Sequence, residues 1–141
     1  MDHQKQEQID HLDKFESLAA AALDYNSNAD IPLIKKAFEF ASVAHKGQKR
    51  ASGEDYITHP LEVAMILTEL KVDSVTIAAA LMHDVLEDTK ATKDDIKKEF
   101  GEEITDLVES LTKIDKIHFH DKEDYNAENV RKVVLAMSKD V

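Results

Sequence analysis

Apolar residues recur at three- and four-residue steps along most of this chain, the spacing that gives a helix one buried face. From about Gln4 to Tyr25 the positions Ile9, Leu12, Phe15, Leu18 and Ala19 keep that step and predict a first helix, with His3 and His11 on its solvated side. Asn26-Ser27-Asn28-Ala29-Asp30 interrupts it. Asp30 can cap a second helix that tolerates Pro32 in its first turn, with Leu33, Ile34, Ala37, Phe38, Ala41, Val43 and Ala44 as its buried stripe. Thr58-His59-Pro60 opens a third, buried through Leu61, Val63, Ala64, Ile66, Leu67 and Leu70. The fourth starts at Asp73 or Ser74 and runs through Ala79-Ala80-Leu81-Met82-His83-Asp84-Val85-Leu86-Glu87-Asp88-Thr89. Thr92-Lys93-Asp94-Asp95 has the form of a capping box and begins a short helix ending at Phe100-Gly101. Another buries Ile104, Leu107, Val108 and Leu111, and a last one spans Ala127 to Lys139. No stretch alternates with the period of a strand. The expectation is an all-α bundle of about seven helices.

Size and composition narrow the class. At 141 residues one domain is expected, and 3 Gly, 2 Pro and 43% hydrophobic residues suit a helical protein. A formal charge of −11 argues against nucleic-acid binding, because it repels a phosphate backbone. With no cysteine there is neither a disulfide nor a thiolate metal site. No run reaches the length of a membrane span, and the polar start is unlike a signal peptide. The chain reads as soluble and cytoplasmic.

The fourth helix carries the candidate chemistry. If it stays helical, His83, Asp84, Glu87 and Asp88 share an arc of about 140° at 100° per residue, opposite Leu81, Met82, Val85 and Leu86. Three gathered carboxylates repel unless a cation or proton relieves them. Acid at a helix C-terminus also opposes the macrodipole, a cost that suggests function. Imidazole and carboxylate are the ligands that hydrolytic divalent cations favour. His83 and Asp84 can reach one ion, His59 can add a third ligand, and Glu87 and Asp88 are suited to orient water or move a proton. Ala44 to Tyr56, with two glycines and Lys46, Lys49 and Arg50, reads as a surface loop. Arg50 and Ser52 make it either a solvated connector or an anion-binding loop. His118-x-His120-Asp121 is a weaker candidate for a second metal site.

The quoted text extends to a family pattern. Ala44-His45-Lys46-Gly47-Gln48-Lys49-Arg50, Ser52-Gly53-Glu54, Tyr56-Ile57-Thr58-His59-Pro60, the Ala79–Thr89 run, Phe100-Gly101, Thr112-Lys113 and Ala127-Glu128-Asn129-Val130-Arg131-Lys132 resemble the hydrolase region of the Rel/SpoT (p)ppGpp synthetase/hydrolases, within the HD-domain phosphohydrolases. The resemblance covers residues 44–141, with residues 1–29 as an added N-terminal helix. It implies an HD-type fold and Mn2+ held by His59, His83 and Asp84. It also implies hydrolysis of the 3′-pyrophosphate of ppGpp or pppGpp, with Glu87 and Asp88 activating water and transferring protons, Arg50 against the guanine and Ser52 in the same loop. Two departures stand out. Ala51 replaces a second basic residue, and the family's following helix, Leu-Ala-Asp-Arg-x-His-Asn, has no counterpart before Val141. That helix supplies an Asp ligand, so residues 1–141 are expected to be one HD-type domain lacking its C-terminal helices, cut from a chain with synthetase and regulatory domains. With three protein ligands, metal binding is expected to be weak. The alternatives are a silent nucleotide-binding or regulatory module and an HD phosphohydrolase for another nucleotide. A truncated bundle with an exposed apolar face could also dimerise.

Overall fold

The computed structural model describes residues 3–118, of which residues 5–113 have described side chains. The expected helix over 127–139, together with His120 and Asp121, lies outside the described residues. Among those described there are seven helical segments and no strand: α1 (His3–Tyr25), α2 (Ile31–Ala44), α3 (Thr58–Glu69), α4 (Ser74–Leu81), α5 (Val85–Asp88), α6 (Lys93–Phe100) and α7 (Glu102–His118). The all-α expectation holds. Seven segments arise differently from the way the periodicity suggested, because the expected fourth helix is two.

The caps sit where their chemistry put them. Asp30 accepts the Leu33 N–H at 3.1 Å, with Pro32 in the first turn of α2. Asp73 accepts the Thr76 N–H at 2.9 Å and opens α4. Thr92 and Asp95 form the reciprocal capping box of α6, which Gly101 ends at φ +89°, a conformation that costs glycine little.

α4 is the axis of the bundle. Its Ile77, Ala78, Ala79, Ala80 and Leu81 are all buried, and it packs against α2, α3 and α7. Three consecutive alanines let those neighbours approach closely. α1 lies against α2 and α3 through Phe15, Leu18 and Ala22, with Phe15 stacked on Phe38 at 5.0 Å between ring centroids. Tyr25 ties the end of α1 to the turn before α4 by donating to the Val72 carbonyl at 2.7 Å.

Three expectations about exposure change. Val43, assigned to the buried stripe of α2, is 75% exposed. At about 100° per residue its position lies across the helix from the buried row through Ala41 and His45, so the apolar residue faces out. On α1 both Ile9 and Leu12 are exposed. His11 is not a solvated residue: its Nε2 lies 3.4 Å from Asp55 Oδ2 and its side chain is mostly covered.

The segment read as a loop between α2 and α3 is ordered. Arg50 N–H donates to Glu54 O at 2.7 Å, Tyr56 N–H to Gln48 O at 2.9 Å, and Lys49 pairs with Asp55 in one antiparallel bridge. Gly53 closes this small hairpin at φ +92°. The hairpin brings Tyr56 under the start of α3 and fixes how His59 enters the bundle.

Candidate metal centre

The apolar run of α4 stops at Leu81, and the reason is competition for its carbonyls. In a continuing helix the Ala80 carbonyl would accept the Asp84 N–H. Here it takes the His83 N–H at 3.3 Å and lies 2.6 Å from His83 Nδ1. The His83 carbonyl is taken by the Thr112 hydroxyl from α7, which also bonds Val108 O. Met82 N–H reaches Ala79 O and Val85 N–H reaches Met82 O, both three-residue closures at 3.1 Å. Met82-His83-Asp84 is therefore a tight turn, after which α5 resumes for one turn.

That break overturns the single polar face. His83 and Asp84 are buried, whereas Glu87 and Asp88 are exposed. The acidic pair ends the one-turn helix α5 and lies outside α4, so it is not the C-terminal turn of one long helix as expected. The turn also does what a regular helix would not. It brings His83 Nε2 to 3.2 Å from Asp84 Oδ2. From the first turn of α3, His59 Nε2 comes to 3.8 Å from the same oxygen.

His59, His83 and Asp84 thus offer one ligand atom each within 4.8 Å of one another, and all three residues are buried. The donor set fits a divalent cation. Nδ1 of His83 spends its proton on a main-chain carbonyl, which leaves the Nε2 lone pair to ligate; such an outer hydrogen bond is how proteins orient metal-binding imidazoles. Asp84 supplies the negative charge, and its Oδ2 accepts the Tyr56 hydroxyl at 2.8 Å. Rings of His45, Tyr56, His59 and His83 follow one another at centroid distances of 4.7, 5.8 and 5.7 Å.

Burial disfavours a proton on two of these imidazoles, His59 and His45. It pushes His59 down to about 2, with the nearby His83, Arg50 and His45 acting in the same direction. His45 is lowered as well, chiefly by burial. The unfolded chain takes up a proton on such a histidine near pH 6.5, while folded His59 refuses it until about 2. Below about pH 6.5 the unfolded state therefore binds more protons, and metal-free stability falls as pH drops, by about 1.4 kcal/mol per unit for one such group. Urea denaturation at about pH 6.5 and pH 5 is expected to show a loss of about 2 kcal/mol from His59. His59→Gln should flatten that dependence; an equally steep slope in the variant would contradict the assignment.

The remaining sequence candidates lie around this centre. Arg50 does not extend into solvent: its Nη1 pairs with Glu62 Oε1 at 3.1 Å and reaches Thr58 Oγ1 at 3.3 Å. Ser52 is exposed in the hairpin. His118 is the last residue of α7, and its suggested partners fall outside the described residues. Three contributors were not picked out from the sequence. His45 continues the buried row of Ile34, Phe38 and Ala41 at the four-residue step, a signal that could have found it. Thr112 follows Val108 by the same step. Tyr56 follows no apolar period, and nothing local announces its bond to Asp84.

A family model described as an HD domain matches residues 37–141. The chain belongs to the HD-domain family. Within it, the resemblance to Rel/SpoT proteins is borne out. The chain is 47% identical over 127 residues to the bifunctional (p)ppGpp synthase/hydrolase SpoT of Escherichia coli K12, which takes in 90% of this chain and 18% of that protein. It is 50% identical over 117 residues to the GTP pyrophosphokinase rsh of Brucella melitensis biotype 1, or 83% of this chain and 16% of that one. The chain therefore spans 16–18% of the length of these curated relatives. A solved structure of a metazoan ortholog of SpoT, described as hydrolyzing ppGpp and playing a role in starvation responses, superposes with a TM-score of 0.53 at 32% identity. That match covers 57% of this chain and 47% of the other. Among the described residues, no helix is long and apolar enough to cross a membrane.

Proposed function

We propose that this chain carries the hydrolase site of a guanosine-3′,5′-bis(diphosphate) 3′-pyrophosphohydrolase, the activity for which relatives in Escherichia coli O157:H7 and Vibrio cholerae are named. The observation that carries this reading is the convergence of His59, His83 and Asp84 on one point beside an exposed acidic pair. His59, His83 and Asp84 would hold Mn2+. When bound, the ion supplies positive charge that stabilises the charge developing on the transferred phosphate.

The protein's own groups divide the remaining work. Water adds at the phosphorus that carries the ribose 3′-oxygen, the bond from that phosphorus to the 3′-oxygen breaks, and the products are pyrophosphate and GDP or GTP. One proton must leave the water and one must reach the departing oxygen. Glu87 and Asp88 are the groups assigned to that traffic, since exposed carboxylates one turn from the centre can exchange protons with solvent between turnovers. Tyr56 keeps Asp84 oriented through its 2.8 Å bond. Arg50 is assigned to the guanine nucleotide: Glu62 and Thr58 take Nη1 alone, and a guanidinium carries five N–H donors and a flat face for stacking. Ser52 adds a hydroxyl from the same hairpin. In the longer relatives further domains accompany such a site, and a synthetase and regulatory partner in the same polypeptide belong to this reading, as does a cytoplasmic location.

The test is pyrophosphate release from ppGpp with added Mn2+, run on this chain and on a version extended through the family's Leu-Ala-Asp-Arg-x-His-Asn helix. The extended protein is expected to cleave ppGpp. Cleavage of a different nucleotide with ppGpp untouched would assign the site to another substrate.

A further inference from the structure

Gln48 joins the acidic turn to the rest of the site. Its Oε1 lies 3.0 Å from His45 Nδ1, and its Nε2 donates to the main-chain carbonyl of Asp88. A carbonyl can only accept, so the amide nitrogen must face Asp88 and the amide oxygen must face His45. His45 must then carry its proton on Nδ1. The ring is buried, and its Nε2 has no hydrogen-bond partner among the described residues. One donor assignment fixes every atom in this bridge.

The main chain of Gln48 is committed too. Its N–H donates to His45 O and its carbonyl accepts the Tyr56 N–H, both at 2.9 Å. One residue thus links the end of α2, the hairpin segment that carries Tyr56 and the turn that carries Glu87 and Asp88. α5 is four residues long with Val85 alone buried, and a single helical turn does not hold its geometry unaided.

We propose that Gln48 is a positioning residue, whose amide bridge from His45 to the Asp88 carbonyl sets the Glu87–Asp88 turn in register with the His59–His83–Asp84 centre. The inference rests on the reading of that pair as the proton-handling groups, but its structural part is testable without turnover. Gln48→Met keeps the length and removes both hydrogen bonds. Gln48→Glu keeps an acceptor toward His45 and removes the donor toward Asp88.

Hydrogen exchange of the Asp88 and Thr89 amides, which bond to Asp84 O and Val85 O, is the first readout. Both variants are expected to speed it about tenfold, the change that one lost hydrogen bond produces. Amides of α4 and the affinity for Mn2+ by calorimetry should stay within about twofold, since the bridge touches no ligand. In the extended protein, kcat on ppGpp should fall about tenfold with KM nearly unchanged, and Gln48→Met should cost nothing further in a Glu87→Gln background. Unchanged exchange in α5 would overturn the proposal, as would α4 and α5 loosening together or fully additive losses. If the exchange changes appear but wild-type protein leaves ppGpp intact, the positioning role stands and the substrate assignment fails.

Discussion

Asp84→Asn is expected to weaken Mn2+ binding by at least about 100-fold, because groups that merely support a ligand already cost about 10–100-fold when removed. The substitution is nearly isosteric. Its Oδ1 can still accept the Tyr56 hydroxyl that now bonds Asp84 Oδ2 at 2.8 Å, so the turn should keep its shape. What disappears is the negative charge facing two imidazoles, His59 at 3.8 Å and His83 at 3.2 Å. Neutral nitrogen donors alone hold a hard divalent ion poorly. The metal-free protein should not lose stability, since a buried carboxylate is costly without a cation and its amide is less so. Calorimetric titration with Mn2+ and urea denaturation without metal together separate the two effects. Unchanged affinity would remove Asp84 from the ligand set, and a large loss of metal-free stability would recast it as a structural group.

Leu81→Ala should destabilise the protein by about 3 kcal/mol, within the range of about 2–5 found for fully buried leucines. Leu81 is wholly buried at the last position of α4, directly before the turn that carries His83 and Asp84. Because α4 packs against α2, α3 and α7, no single neighbour can close the cavity by shifting. The control is Val43→Ala: with 75% of Val43 exposed, a change within about 0.5 kcal/mol is expected. Urea unfolding of both variants measures the contrast. A loss below about 1 kcal/mol for Leu81→Ala would mean that α4 is not the centre of the core.

Much of this architecture was legible in local chemistry. Asp30, Asp73 and the Thr92–Asp95 box each cap a helix where a short polar side chain meets the following amides, an interaction confined to four residues. The buried rows of α2, α3 and α7 follow from the helical step, while the glycine at the end of α6 and the ligand candidates His59, His83 and Asp84 were read from residue type. The misreadings share one cause. Whether Val43, Ile9 and Leu12 are covered depends on which other elements lie above them, and a period within one helix does not carry that information. The same is true of His11, whose partner Asp55 stands 44 positions away.

The sequence by itself determined most of the described helical segments, their caps and the residue types of a metal centre, because these depend on contacts within a few positions. Only the tertiary structure decided that the centre sits on a break in the helix. Thr112, 29 residues from His83, takes the carbonyl that a continuing helix would have used, and His83 turns its own ring onto Ala80. Those two bonds bury His83 with Asp84 and leave Glu87 and Asp88 in solvent. A helix ends where something else satisfies its carbonyls, and here half of that something comes from another helix.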